Sequence, residues 1–173
     1  MGIFRRSQSE PLAVTMTGVK LGDRFLSVGV RDPVLVAALA AKAGLTGRAC
    51  AIDADPALAS AGAGAVEAEG ALIDVVHAPW DALPYEDASF DVALTRGVLP
   101  ALPPEQQVRS AAEVLRVLRG GGRLVVVEGA KRARVDPGVI ASALKDAGFA
   151  AVRVLAEADH MIFVEGIKKA IAG

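Results

Sequence analysis

The chain has 173 residues, of which 53% are hydrophobic and 4% aromatic, with a formal net charge of −1. That length fits one domain with a proper core, and the Ala/Val/Leu-rich mixture excludes disorder and suits helices packed closely on a sheet. A balance so near neutrality leaves no global field to draw in nucleic acid or anionic lipid; the basic residues gather only in Arg5-Arg6 and in Lys131-Arg132 with Arg134.

In chain order, residues 1–20 read as an N-terminal arm or lead-in, and 21–173 as a single domain. Residues 1–11 are polar and carry Ser and Pro, as a loose arm would. Leu12–Val19 alternate weakly, which predicts an edge strand or an extended lead-in. A strand over Phe25–Val28 follows, then a helix over Pro33–Ala43 that Gly44 ends. Asp32 before Pro33 is a good start for it, since Asp accepts from free N–H groups and Pro fits the first turn. Strand Ala49–Ile52 leads to a helix over Pro56–Glu69, closed by Gly70. Strand Ile73–His77 precedes a turn-rich stretch to Ala88.

Strand Phe90–Thr95 is almost uniformly apolar, as a strand covered on both faces should be. Helix Glu105–Leu118 shows Val108, Ala111, Ala112, Leu115 and Leu118 at helical spacing. Gly120-Gly121-Gly122 is expected to break it and turn into strand Arg123–Val127. A helix over Pro137–Ala147 ends at Gly148. Strands Ala151–Leu155 and Met161–Ile167 then form a hairpin through Glu157-Ala158-Asp159. Strands alternating with helices predict an α/β fold: one doubly wound, mostly parallel sheet with helices on both faces, closed by an antiparallel hairpin.

No apolar run reaches the length of a membrane span, and Met-Gly-Ile-Phe-Arg-Arg has no apolar stretch after it, so a cytoplasmic protein that avoids membranes is expected. Cys50 stands alone, without metal-ligand spacing, and reads as a small buried strand residue; no metal site is expected. His77 and His160 sit at strand ends and read as packed or surface residues.

The order strand, turn at Gly29, helix, strand, Asp53 is how doubly wound proteins hold adenosine ligands. Asp53 ends the second strand, where a carboxylate can accept both ribose hydroxyls; the plainer alternative is that it only caps the next helix, which Asp55 before Pro56 could equally do. Gly29 lets backbone approach a ligand closely.

Several segments, in order, resemble class I S-adenosylmethionine-dependent methyltransferases of the type 11-like kind, over roughly residues 18–167. They are TGVKLGDRFLSVG, ACAIDADP, DALPYEDASFDVAL, EVLRVLRGGGRLVVVEG and LKDAGFAAVRV. The resemblance implies a seven-stranded Rossmann-like sheet with the last strand between the fifth and sixth. It implies S-adenosylmethionine as cofactor, Asp53 and the adjoining Ala54 at the ribose, and Thr95 near the transferred methyl.

It also exposes a degenerate cofactor loop. Arg31 and Pro33 stand where the family has glycines, Ser27 where it has an acid, and Pro79 where it often has an acid for the adenine amino group. Asp32 is then a candidate for the lost charge, or a plain helix cap. Asp81 is a candidate for the adenine, and Trp80 either stacks on a base or packs in the core. Thr95-Arg96-Gly97 lack the Asn/Asp-Pro-Pro-aromatic set of amino-group methylation, so no catalytic base is assigned. Two readings follow. One is a methyltransferase acting on an unidentified acceptor, reached through an open site. The other is a non-catalytic member of the fold serving as a binding or scaffold module for a protein partner. No nucleic-acid partner is expected, and apolar edges would permit a homodimer. A nicotinamide dehydrogenase would need the glycines that cradle a pyrophosphate.

Overall fold

The computed structural model describes residues 11–129, 135–158 and 160–172. The loose arm over residues 1–10 and the basic clusters Arg5-Arg6 and Lys131-Arg132-Arg134 lie outside the described residues, as does Asp159 of the hairpin turn.

Seven strands form one sheet: β1 (Arg24–Val28), β2 (Arg48–Asp53), β3 (Asp74–His77), β4 (Phe90–Thr95), β5 (Leu118–Gly129), β6 (Ala150–Ala158) and β7 (Met161–Ile167). Their order is β3-β2-β1-β4-β5-β7-β6, with β7 antiparallel to both neighbours and the rest parallel. The helices are α1 (Pro11–Thr17), α2 (Pro33–Ala43), α3 (Pro56–Ala68), α4 (Pro104–Val117) and α5 (Pro137–Asp146). One face of the sheet packs on α4 and α5 through Leu26, Leu124, Val114 and Leu144; the other packs on α1, α2 and α3 through Phe25, Val125, Leu39 and Val66. Central strands covered on both sides explain the unbroken apolar run of β4. Cys50 is fully buried in β2.

Three helices begin on the pair Asp-Pro just beyond a strand or loop at one edge of the sheet. Asp32 accepts from Leu35 N–H, Asp55 from Ala57 and Leu58 N–H, and Asp136 from Gly138 N–H. In each, Asp satisfies an orphan donor of the first turn and Pro fills a position that needs no N–H.

Three expectations need correction. Leu12–Val19 is not extended: Pro11–Thr17 is a helix, with Thr15 and Thr17 hydroxyls donating to the carbonyls four residues back. Ala13 and Thr17, one turn apart, are the residues it buries, so the weak alternation had suggested the wrong period. The three glycines do not separate helix from strand; α4 stops at Val117 and β5 starts at Leu118. They sit inside β5 at an irregularity of its pairing with β4, where Phe90 faces Leu118 and Val92 faces Arg123. Gly121 adopts φ +78° there, and residues 121 and 122 bond to Lys168 backbone. Finally, β6 runs on through Glu157 and Ala158, so those two residues are strand rather than turn.

Candidate active site at the carboxyl edge of the sheet

The loops leaving β1 and β4 and the end of β5 border a cavity of about 650 Å³, lined by Arg31, Asp32, Pro33, Val34, Arg96, Gly97, Pro100, Ala101, Glu128, Gly129 and Val135. This is the edge at which open α/β sheets bind ligands. Two glycines with positive φ bring the loops together: Gly29 (φ +97°) and Gly97 (φ +70°). A Cβ at Gly29 would come within 2.7 Å of Val98 Cγ2, and one at Gly97 would rest on the Arg31 stem at 3.6 Å. The Arg31 side chain thus lies over both turns.

Asp53 ends β2 fully buried. Its Oδ1 accepts from Asp55 N–H at 3.0 Å and its Oδ2 from Val30 N–H at 3.3 Å, while Arg31 Nε lies 3.6 Å from Oδ2. Asp55, not Asp53, caps α3, which removes the plainer alternative for Asp53. Arg31 therefore folds onto Asp53 rather than onto Asp32. Asp32 has two duties: it caps α2 and pairs with Arg96 Nη1 at 2.7 Å.

The other predicted residues are spread around this centre. Ser27 is buried in β1 and donates to Gly29 O at 2.7 Å, so its hydroxyl pins the turn. Ala54 is half-buried, its carbonyl 3.1 Å from His77 Nε2. Trp80 is half-buried against the α4/α5 face of the core, and Asp81 pairs with Arg109 of α4 at 3.4 Å. Thr95 is buried, with no partner for its hydroxyl among the described residues. Of the predicted residues, Arg31 and Asp32 line the cavity; Ser27, Gly29, Asp53, Ala54, Trp80, Asp81 and Thr95 do not. Arg116 of α4 steadies the loop before β4 by donating to the carbonyls of Leu83 and Tyr85.

Glu128 is the residue that sequence reading missed. It ends β5 with 7% exposure, and its Oε1 accepts from Gly97 N–H at 2.9 Å. Burial pushes its carboxyl up to about 7, against the pull of the Gly97 N–H and the Arg96 charge. A signal was present: Leu-Val-Val-Val-Glu ends an apolar strand in an acid, just as Cys-Ala-Ile-Asp does at Asp53.

A family model described as a methyltransferase domain matches residues 26–126, more than half of the chain. The chain belongs to this class I methyltransferase family. The ubiquinone/menaquinone biosynthesis C-methyltransferase UbiE of Pseudomonas fluorescens (strain SBW25) is 31% identical over 121 residues, 68% of this chain and 46% of that protein. The chain thus spans about half the length of the curated relatives it matches. Among solved structures, a SAM-dependent methyltransferase from Aquifex aeolicus superposes with a TM-score of 0.78 at 19% identity, covering 91% of this chain and 88% of that one. The [4+2]-cyclase SpnF gives 0.72 at 19% identity, covering 93% and 80%. At such identities these two likenesses speak for the fold alone. The strand order and the place of β7 between β5 and β6 agree with what the resemblance implied.

Proposed function

We propose that this methyltransferase-family chain binds S-adenosylmethionine at the carboxyl edge of its sheet and transfers the methyl group to an acceptor. The observation that carries the reading is Asp53: a fully buried carboxylate at the end of β2, held by two backbone N–H groups and freed from helix capping. A buried acid of that kind suits a pair of ribose hydroxyls. The residues fit the cofactor once Arg31 turns outward. Its side chain is 41% exposed and its Nε lies 3.6 Å from the carboxylate, while two backbone N–H groups keep Asp53 in place when the guanidinium leaves.

In this reading Asp53 would hold the ribose, the Gly29 turn would admit the ligand, and the cavity between Pro33, Gly97 and Glu128 would receive the transfer end and the acceptor. The cofactor supplies an activated methyl on a sulfonium. The protein's share is to orient the two reactants in line and to exclude water.

A second reading is supported by Arg31 itself. Its guanidinium already occupies Asp53 and its stem covers Gly29 and Gly97, as in a fold member that has closed its pocket and serves as a binding module. The fold alone does not decide between them. Calorimetric titration with S-adenosylmethionine separates the two. Micromolar binding by the unaltered chain that is lost in Asp53→Ala supports the cofactor reading. Binding that appears only in Arg31→Ala supports the closed pocket.

A further inference from the structure

We propose that Glu128 is the catalytic base that takes the acceptor's proton during methyl transfer, an assignment that rests on the cofactor reading above. The position itself is the first argument. Residues 124–127 of β5 are fully buried and apolar, and the strand then ends in a carboxyl group that is nearly as deep. A buried acid ordinarily collects several partners, because an unpaired charge is costly away from water. Glu165, equally deep in β7, has two arginines, and Asp53 has two backbone N–H groups and Arg31. Glu128 has a single hydrogen bond among the described residues, Gly97 N–H to Oε1. That bond ties the carboxyl group to the loop leaving β4, on a residue that lines the cavity, and leaves Oε2 without a hydrogen bond among the described residues.

Among the described residues, the charged groups that share the cavity with Glu128 are Arg31, Asp32 and Arg96. Arg96, leaving β4, is the charged side chain whose field reaches Glu128. Arg31 and Asp32 share the cavity but are engaged with Asp53 and Arg96. Across from Glu128, β7 presents Ile162, and Asp136 caps α5. Pro100, Ala101 and Val135 form an apolar wall. Residues 130–134 lie outside the described residues. Burial raises the Glu128 carboxyl to about 7, so near neutral pH it is divided between its two forms. Such a group can take a proton in one step and return it to water in the next.

The step balances as follows. Glu128 Oε2 takes the proton as the acceptor's X–H bond breaks, and the freed electron pair on X forms the bond to the methyl carbon. The pair of the broken carbon–sulfur bond stays on sulfur, which becomes a neutral thioether. The acceptor suited to this wall is a largely apolar molecule with one proton that it must lose in order to attack.

The test needs no acceptor. The full chain is titrated near pH 7 with S-adenosylmethionine and with S-adenosylhomocysteine, in buffers of different ionisation enthalpy, and the protons exchanged on binding are counted. A sulfonium charge beside Glu128 favours its carboxylate. Binding of S-adenosylmethionine is therefore expected to expel up to roughly half a proton more than binding of the neutral thioether. Glu128→Gln is expected to bind both ligands and to lose that excess. Equal proton release by the unaltered chain, or an excess that persists in Glu128→Gln, overturns the assignment and leaves the cofactor reading standing. No binding of either ligand overturns both.

Discussion

At the edge where β1, β4 and β5 begin, half-buried Asp91 and buried Glu165 are each held by two arginines. Asp91 accepts from Arg24 and from Arg119, with nitrogens at 3.2 and 2.6 Å, and Glu165 lies between Arg123 at 3.1 Å and Arg153 at 2.9 Å. Arg123 also donates to Thr17 O, tying α1 to the sheet. At the opposite edge the acids have fewer arginines. Asp53, ending β2, meets one at 3.6 Å beside its two backbone donors, and among the described residues Glu128 has a single backbone donor. Burial alone would push Asp91 up, but hydrogen bonds from Arg24 and Arg119 bring it down to about 2; Glu128, without such donors, is raised to about 7. One sheet thus carries acids clamped by paired arginines at one end and, at the other, an acid raised by burial, the kind of contrast that marks candidate functional sites.

The sharpest way to break the comparison is Asp53→Ala. On the proposed cofactor reading, its loss is expected to weaken S-adenosylmethionine at least roughly a hundredfold in calorimetry. Asp91→Ala, at the other edge, is expected to leave that affinity unchanged. An equal loss in both variants would mean that the two edges do not differ in function.

Glu128 comes next. Its folded pKa lies above its unfolded value, so its contribution to stability is fully present below about pH 4.5 and is lost as pH rises through about 7. The loss is roughly 3 kcal/mol. Denaturant unfolding of Glu128→Gln should lack that decline and exceed the parent in stability above pH 7. Identical pH profiles would show that the carboxyl is not raised.

Asp91 has the opposite sign. Its folded pKa is depressed, so it contributes about 2 kcal/mol above pH 4, lost as pH falls from about 4 towards 2. Asp91→Asn should abolish that acid-side decline, as measured by thermal unfolding between pH 2 and 5. The smallest effect is at Arg31. Arg31→Ala uncovers Asp53, so S-adenosylmethionine should bind up to about fivefold more tightly. Weaker binding would instead make Arg31 a ligand contact rather than a cover.

Much of this architecture was legible because local signals agreed with one another. Pro33–Ala43, Phe90–Thr95 and Met161–Ile167 coincide with the observed elements to the residue, since Asp-Pro starts, glycine stops and unbroken apolar strands are short-range features. Asp53 was legible for the same reason, as an acid ending an apolar strand before a helix start. Local reading failed where two periods compete, as in the seven residues of α1, and where glycine, usually a breaker, serves a strand irregularity at 120–122.

The sequence by itself determined the class of fold and the edge of the sheet that carries the candidate site. Partner choice among charges was left to the tertiary structure. Arg31 lies beside Asp32 in the chain yet pairs with Asp53, twenty-two positions on, while Asp32 takes Arg96 from the far side of β1. Glu128 became a candidate base only when Gly97, thirty-one residues earlier, was seen to supply its one hydrogen bond among the described residues. The physical reason is that burial and charge pairing are properties of the space between strands. Parallel neighbours in a sheet come from distant stretches of chain, so the charge state of an acid at a strand end is decided by residues that local pattern cannot connect to it.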